Sequence, residues 1–287
     1  MITCNTVEQL RTQVSQWKQN GEIIAFVPTM GHLHAGHLSL IDIAKQKASR
    51  IVVSIYVNPL QFAPDEDFDS YPRTLDDDLA QLKLCDTDLI FLPDTAMIYP
   101  EGEQSSTFVE VPELSHIIEG EFRPGFFRGV ATVVLKLFNL VEPDVAVFGE
   151  KDFQQLLIIR RMVKDMCLPI KIFGGATRRE DNGLAMSSRN AYLDGQERKK
   201  SHFFSEALTV FKQQIEAGSG LEDTRLRCIN TLKKHGFIVD YVTLRETSCL
   251  NAVPDNELKK DKELIILAAA RLGETRLIDN LKFTLIT

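Results

Sequence analysis

A chain of 287 residues, 44% of them hydrophobic, can bury one large core or two modest ones, and no Pro-, Ser- or Gly-rich tract reads as disordered. Its formal charge of −7 disfavours the basic surface that a sequence-independent grip on nucleic acid requires. Five scattered cysteines without a CxxC pair give no sign of a disulfide framework or a cysteine zinc site, and no apolar run approaches a membrane span. The expectation is a cytoplasmic protein without a membrane partner.

The N-terminus, "MITCNTVEQLRTQVSQWKQ", is polar and helix-like and lacks a signal peptide's apolar region. Short apolar runs then alternate with helical patterns. Runs at 22–29, 51–59, 88–94, 144–150 and 170–175 are apolar on both faces, as parallel strands covered by helices must be. Segments 37–49, 74–84, 129–141 and 152–166 place apolar residues at helical spacing; Thr74 is the expected N-cap of the second, with acidic residues after it. This alternation predicts an α/β fold with a doubly wound, Rossmann-like parallel sheet over residues 1–176. The rhythm changes at the polar stretch 176–190, read as a linker or mobile loop. Two helical patterns, about 194–217 and 221–235, and three strand-like runs follow, giving a smaller α+β domain over 177–287.

Open parallel sheets bind ligands beyond the carboxyl ends of their strands, so residues just after each strand are the first candidates. After the first comes "TMGHLHAGH" (29–37), which crowds His32, His34 and His37 at one turn. Gly31 and Gly36 allow close backbone approach, a helix begins near Gly36–His37, and helix N-termini favour anions. His34 and His37, three apart, can face one phosphate. The pattern H-x-H-x2-H leaves zinc open as an alternative, and local hydrogen bonding in a loop is a third.

After the second strand, "VNPLQF" carries Asn58 and Gln61 in apolar company. Neutral amides suit a hydroxyl or carboxylate, although an Asn-Pro turn explains Asn58 nearly as well. "GEKDFQQL" (149–156) offers Lys151 for phosphate oxygens, Asp152 for a ribose hydroxyl or a helix cap, and Gln155 one turn into the helix. "MSSRN" (186–190) supplies Ser187, Ser188 and Arg189 to a polyphosphate, or an ST-turn that starts a helix. The run "DDD" (76–78) suits Mg²⁺ less well than an acidic first helical turn.

Together "PTMGHLHAGH", "VNPLQF", "YPRTLDDDL", "RPGFFRGVATVVLKLFN", "FGEKDFQQL" and "GLAMSSRN" resemble, in order and spacing and over essentially the whole chain, the pantoate–β-alanine ligase family. "HAGH" is similar to the HIGH element of adenylating nucleotidyltransferases and "MSSRN" to their KMSKS-type loop. The resemblance implies condensation of pantoate with β-alanine through a pantoyl adenylate, with ATP and Mg²⁺, in a homodimer. It implies an ATP site of Met30, Gly31, His32, Leu33, His34, Ala35, Gly36, His37, Gly149, Glu150, Lys151, Asp152, Arg178, Met186, Ser187, Ser188 and Arg189. It implies pantoate on Gln61 and Gln155, β-alanine near Gln61, and His37 as proton donor.

Four residues depart from the family pattern: Tyr56 for Phe, Leu60 for Met, Phe126 for a frequent His, and Arg178 for an apolar residue beside the adenine. Other readings are a nucleotidyltransferase acting on a different small coenzyme precursor and a non-enzymatic nucleotide sensor. An aminoacyl-tRNA synthetase is opposed by the acidic balance.

Overall fold

The computed structural model describes residues 1–64, 66–255, 258 and 261–285. Asp65, within the 62–73 stretch, and residues 286–287 of the expected second domain lie outside the described residues. The chain divides into two compact units, one of residues 1–150 and 155–176, the other of 151–154 and 177–287. Residues 151–154, which the linear reading keeps with the preceding strand, thus group with the second unit.

The first unit contains β1 (Ile2–Cys4), α1 (Val7–Gln19), β2 (Ile24–Thr29), α2 (Ala35–Lys45), β3 (Arg50–Ile55), α3 (Leu75–Leu84), β4 (Leu89–Phe91), α4 (Thr95–Ile98), α5 (Glu119–Phe122), α6 (Phe126–Val141) and β5 (Val145–Gly149). Most of α7 (Phe153–Asp165) and all of β6 (Lys171–Gly175) complete it. The six strands run parallel in the order β1-β4-β3-β2-β5-β6. Successive residues of a strand point to opposite faces, so β2 feeds two cores. Ile24 and Phe26 pack with residues of α1, α6 and α7, whereas Ala25 and Val27 pack with residues of α2 and α3. That double burial explains the continuous apolar runs in the sequence.

Strand order reverses between β2 and β5. From β2 the chain builds β3 and β4 to one side, then crosses back to lay β5 and β6 on the other. Loops leaving the carboxyl ends of β2 and β5 therefore diverge and leave a crevice between them.

Two expectations need correction. Ile2–Cys4 is an edge strand rather than part of a helical N-terminus; Ile2, Thr3 and Cys4 pair with Leu89, Ile90 and Phe91. Three residues are too few to show a period, and the helix starts only at Val7, capped by Thr6 Oγ1 accepting from Gln9 N at 3.2 Å. The run at 51–59 is not all strand either: β3 stops at Ile55, and Pro59–Gln61 forms a 3₁₀ turn. Helix α6 lies so close to that turn that a Cβ on Gly129 would sit 2.1 Å from the Leu60 carbonyl oxygen, so only glycine fits.

The second unit contains α8 (Gly195–Lys200), α9 (His202–Glu216), α10 (Leu221–Lys234), β7 (Phe237–Glu246), β8 (Glu263–Leu272) and β9 (Thr275–Thr284). Its strands form an antiparallel sheet in sequence order, whose apolar face meets Phe204, Phe211 and Leu232 of the helices. No helix among the described residues is long and apolar enough to cross a membrane.

Two tyrosines of the first unit are buried with their hydroxyls bonded. Tyr56 donates to Thr95 Oγ1 at 3.4 Å, which accommodates the hydroxyl that a Phe would lack, and Tyr99 donates to Asn58 Oδ1 at 2.8 Å. Burial pushes the Tyr56 phenol up to about 12 and raises that of Tyr99 as well. An unfolded tyrosine ionises near pH ~10. Between about pH 10 and 12 the unfolded state therefore holds fewer protons than the fold, and stability falls as pH rises. Thermal midpoints should drop through this window, less steeply for Tyr56→Phe. All five tyrosines ionising together near pH ~10, in a chain that stays folded, would contradict the assignment.

Candidate active site

The turn between β2 and α2 is held by a buried carboxylate. Gly31 and His32 both adopt left-handed backbone (φ 82° and 49°), which turns the amides of His32 and Leu33 toward α3. There Asp78 accepts from His32 N at 2.9 Å and from Leu33 N at 2.8 Å. A Cβ on Gly31 would approach Asp78 Oδ2 to 3.0 Å, so glycine answers both the positive φ and the close contact. Hydrogen bonds to a charged acceptor are worth about 1.5–3 kcal/mol each, enough to secure strained loop geometry.

This changes the reading of "TLDDD". Asp76 and Asp77 are exposed in the first turn of α3, but Asp78 is buried and serves the loop. Thr74 stands at the N-cap position without capping through its side chain; its hydroxyl lies 3.4 Å from Asp78 Oδ1 and 3.3 Å from His32 Nδ1. The signal in the sequence was the i, i+4 pair Asp78–Leu82, which shares the buried face of the helix.

Helix α2 begins at Ala35 with an unusual cap. His34 is the N-cap and His37 the third helical residue of a reciprocal capping box, imidazoles standing where hydroxyl and carboxyl groups usually do. Gly36 N donates to His34 Nδ1 at 3.1 Å, and His34 N donates to His37 Nδ1 at 3.4 Å. The rings stack with centroids 4.0 Å apart. Because each Nδ1 accepts, a neutral ring carries its proton on Nε2, away from the cap, as a donor. The first-turn amides expected to be free are in part used: Gly36 N by the His34 ring, His37 N by the His34 carbonyl at 2.8 Å. The helix end therefore presents imidazole rings where bare first-turn amides would otherwise stand. Among the described residues no three His, Cys, Asp or Glu side chains are placed to share a metal, so the zinc alternative gains nothing.

After β3, Gln61 is oriented from both ends. Its Oε1 accepts from Asn58 Nδ2 at 3.2 Å, and its Nε2 approaches Met30 Sδ at 2.8 Å. Asn58 is buried; it also donates to the Gly129 carbonyl at 3.2 Å and accepts from Tyr99. It is a bracket for Gln61 more than a turn residue, a role that its place before proline concealed. Arg123 donates to the Gln61 carbonyl at 3.1 Å and to both oxygens of Glu66 at 2.6 Å. Phe126, in place of the frequent His, lies beneath the Arg123 guanidinium, 3.7 Å from ring centroid to charge, so an aromatic cushion replaces a polar ring.

The first unit thus gathers Met30 to His37 after β2, Gln61 after β3 and Gly149 and Glu150 at the end of β5, all at the carboxyl edge of the sheet. Gln155, half-buried, lies in the opening turn of α7 rather than one turn in.

The second unit carries the others. Lys151 and Asp152 belong to a 3₁₀ turn, Glu150–Asp152. Residues 178–186 fold back as a small hairpin: Met186 N donates to the Arg178 carbonyl at 2.9 Å, Arg179 pairs with Ala185, and Glu180 N donates to the Leu184 carbonyl. Arg178 is exposed and contributes its backbone to this hairpin. Ser187 Oγ accepts from Arg189 N at 3.3 Å, opening the 3₁₀ turn Ser188–Tyr192, so the ST-turn reading holds for Ser187. Ser188 is buried.

The family described as Pantoate-beta-alanine ligase matches residues 2–282. Pantothenate synthetases of Shewanella amazonensis and Shewanella loihica are 51% and 49% identical over 99% of this chain and cover 100% and 99% of their own lengths. Among solved structures, a pantothenate synthetase from Thermus thermophilus is 40% identical with a TM-score of 0.90 over 100% of both chains. A pantoate–β-alanine ligase from Francisella tularensis, complexed with β-γ ATP and β-alanine, is 34% identical with a TM-score of 0.81 over 98% of this chain and 97% of that one.

The carboxylate under the β2–α2 turn yields a direct test. Asp78→Asn turns one acceptor oxygen into a donor that faces a backbone N–H, an unmatched contact worth about 1–3 kcal/mol. At roughly 2–4 °C per kcal/mol the thermal midpoint should fall by several degrees. A midpoint equal to that of the parent chain would show that the loop does not rely on this carboxylate.

Proposed function

The chain belongs to the pantoate–β-alanine ligase family, and from that premise we propose how its residues divide the work. The protein is an ATP-dependent ligase that joins pantoate to β-alanine. The observation that carries the reading is the family match over residues 2–282, together with the α2 N-terminus standing at the strand-order reversal of the parallel sheet.

A carboxylate resists amines, so it is first activated. We propose that a pantoate carboxylate oxygen bonds to the α-phosphorus of ATP while the α–β bridging P–O bond breaks and pyrophosphate leaves with the electron pair. The amine of β-alanine then attacks the acyl carbon of the pantoyl adenylate. The C–O bond to AMP breaks, the nitrogen loses a proton, and pantothenate is released.

Negative charge grows on the bridging oxygen and pyrophosphate in the first step. Groups fixed to meet it lower the barrier most, because they need no reorganisation. His34 and His37 donate from Nε2, the tautomer that their Nδ1 contacts favour, with His37 as proton donor. Lys151 and Arg189 supply cationic charge, and Ser187 and Ser188 hydroxyl donors. Gln61 and Gln155 hold pantoate without adding charge; Gln61 also serves β-alanine. Gly149 and Asp152 take the ribose, Met30, Gly31, His32, Leu33, Ala35, Gly36, Glu150 and Met186 line the nucleotide, and Arg178 meets the adenine through its backbone.

The described residues offer no cluster of carboxylates that would cage Mg²⁺. Mg²⁺ would come bound to ATP, keeping most of its waters, and would offset phosphate charge alongside Lys151 and Arg189. We also take the enzyme to be a cytoplasmic homodimer, as the family resemblance implies.

The mixed anhydride is prone to hydrolysis, so the segments 62–73 and 176–190 are assigned to exclude water from it. The Arg123–Glu66 pair gives the first of these an anchor beside Gln61. Hydrogen exchange in both segments should slow when ATP and pantoate bind; unchanged protection in both would end the covering role.

The two-step reading predicts pyrophosphate release from ATP with pantoate alone, then AMP and pantothenate once β-alanine is added. Lys151→Ala should lower ATP–pyrophosphate exchange by about 10²–10³, the usual cost of one preorganised donor, while the fold persists. Near-normal exchange in that variant would remove Lys151 from the mechanism.

A further inference from the structure

Two adjacent residues of β9 lie outside every motif that points to the chemistry, yet they hold two segments that do carry it. Asp279 is 2% exposed and receives both arms of Arg179, Nη1 at 2.7 Å and Nη2 at 3.0 Å. Arg179 also donates to the carbonyls of Gly183 at 3.0 Å and Asn280 at 3.2 Å, and its backbone pairs with Ala185. Arg179 is therefore the clasp of the hairpin that runs into Met186, Ser187, Ser188 and Arg189. Asn280 turns the other way: its Nδ2 donates to the carbonyl of Lys151 at 2.8 Å. Successive side chains of a strand leave opposite faces, so one dipeptide can serve two segments.

The arrangement is costly by itself. Burial pushes the Asp279 carboxyl up, and the Arg179 pair, the Asn280 N–H at 2.7 Å and the charge of Lys151 pull it back. Buried ion pairs add little net stability compared with apolar packing of the same volume, so their benefit is sought in geometry.

We propose that Asp279 and Asn280 are positioning residues for the first half-reaction, which set from the C-terminal sheet the backbone of Lys151 and of the hairpin leading to Ser187–Arg189. This rests on the reading of Lys151 and Arg189 as groups for the departing pyrophosphate. The carbonyl of Lys151 fixes where its side chain starts, and the Arg179 clasp fixes where the Ser-Ser-Arg turn starts. A shift of about 1 Å in such groups is enough to lose ~10²-fold in rate.

The test uses the full chain and two assays. One is ATP–pyrophosphate exchange with pantoate, which needs the triphosphate. The other is pantothenate formation from chemically prepared pantoyl adenylate and β-alanine, which does not. Asn280→Leu, which removes the donor at similar volume, and Asp279→Asn, which removes the charge, should each lower exchange by ~10–100-fold and cost the second assay clearly less, because the adenylate still needs the ribose and adenine contacts but no longer those of the departing pyrophosphate. Combined with Lys151→Ala, Asn280→Leu should add less than about twofold, because it acts through the residue already lost. Equal losses in both assays would mean a merely structural role and overturn the proposal. So would normal exchange in Asn280→Leu while Lys151→Ala is crippled. Normal exchange in Lys151→Ala itself would instead strike the underlying reading, and the inference with it. If Asn280→Leu does not fold, Asn280→Ser is judged by the same criteria.

Discussion

A parallel sheet must be covered on both faces, and that requirement shapes everything built on the first unit. Covering both faces forces the chain to wind outward from a central strand, first to one side and then to the other. The central strand is β2, whose Ile24 to Val27 are all buried, and the reversal falls between it and β5. There the loops after two neighbouring strands part at the carboxyl edge, and there lie Gly31, His32, His34, Gly36, His37 and the Gly149–Glu150 corner. Winding alone makes this crevice the candidate site, before any side-chain chemistry is considered.

Winding places a loop to within a few ångströms, whereas phosphate chemistry needs finer control. Buried polar groups supply it here. Asp78 accepts from two amides of the β2–α2 turn, Asn58 orients Gln61, and Asn280 donates to the Lys151 carbonyl. Each costs desolvation and returns a defined geometry, since an unmet donor or acceptor in the interior is worse than a met one. Glycine plays the complementary part: Gly31 accepts a left-handed turn against Asp78, and Gly129 lets α6 touch the Leu60 carbonyl. The candidate site residues are thus held in place by a layer of buried polar groups and close-packed glycines.

Departures from the family pattern are absorbed by neighbours. The extra hydroxyl of Tyr56 finds Thr95, and Phe126 replaces an imidazole with a ring under Arg123. Arg178 is similarly undemanding, since its side chain is exposed and its carbonyl serves the hairpin.

Much of this was legible in the sequence, because periodicity and order are local properties. Runs apolar on both faces announce buried parallel strands, alternation with helical spacing announces the winding, and the histidine, lysine and Ser-Ser-Arg motifs announce themselves by type and spacing. What sequence could not reveal were partners: that Asp78 leaves its acidic run to serve a loop 45 residues earlier, or that Asn280 reaches back 129 residues to Lys151. Nor could it show that the two imidazoles would cap their own helix and so take over its first amides, or that Ile2–Cys4 would find an edge to pair with. Sequence by itself determined most of the elements and nominated the residues of the candidate site. Tertiary structure alone decided what holds them still, because a hydrogen bond across the fold depends on where two distant segments come to rest, and no local pattern records that.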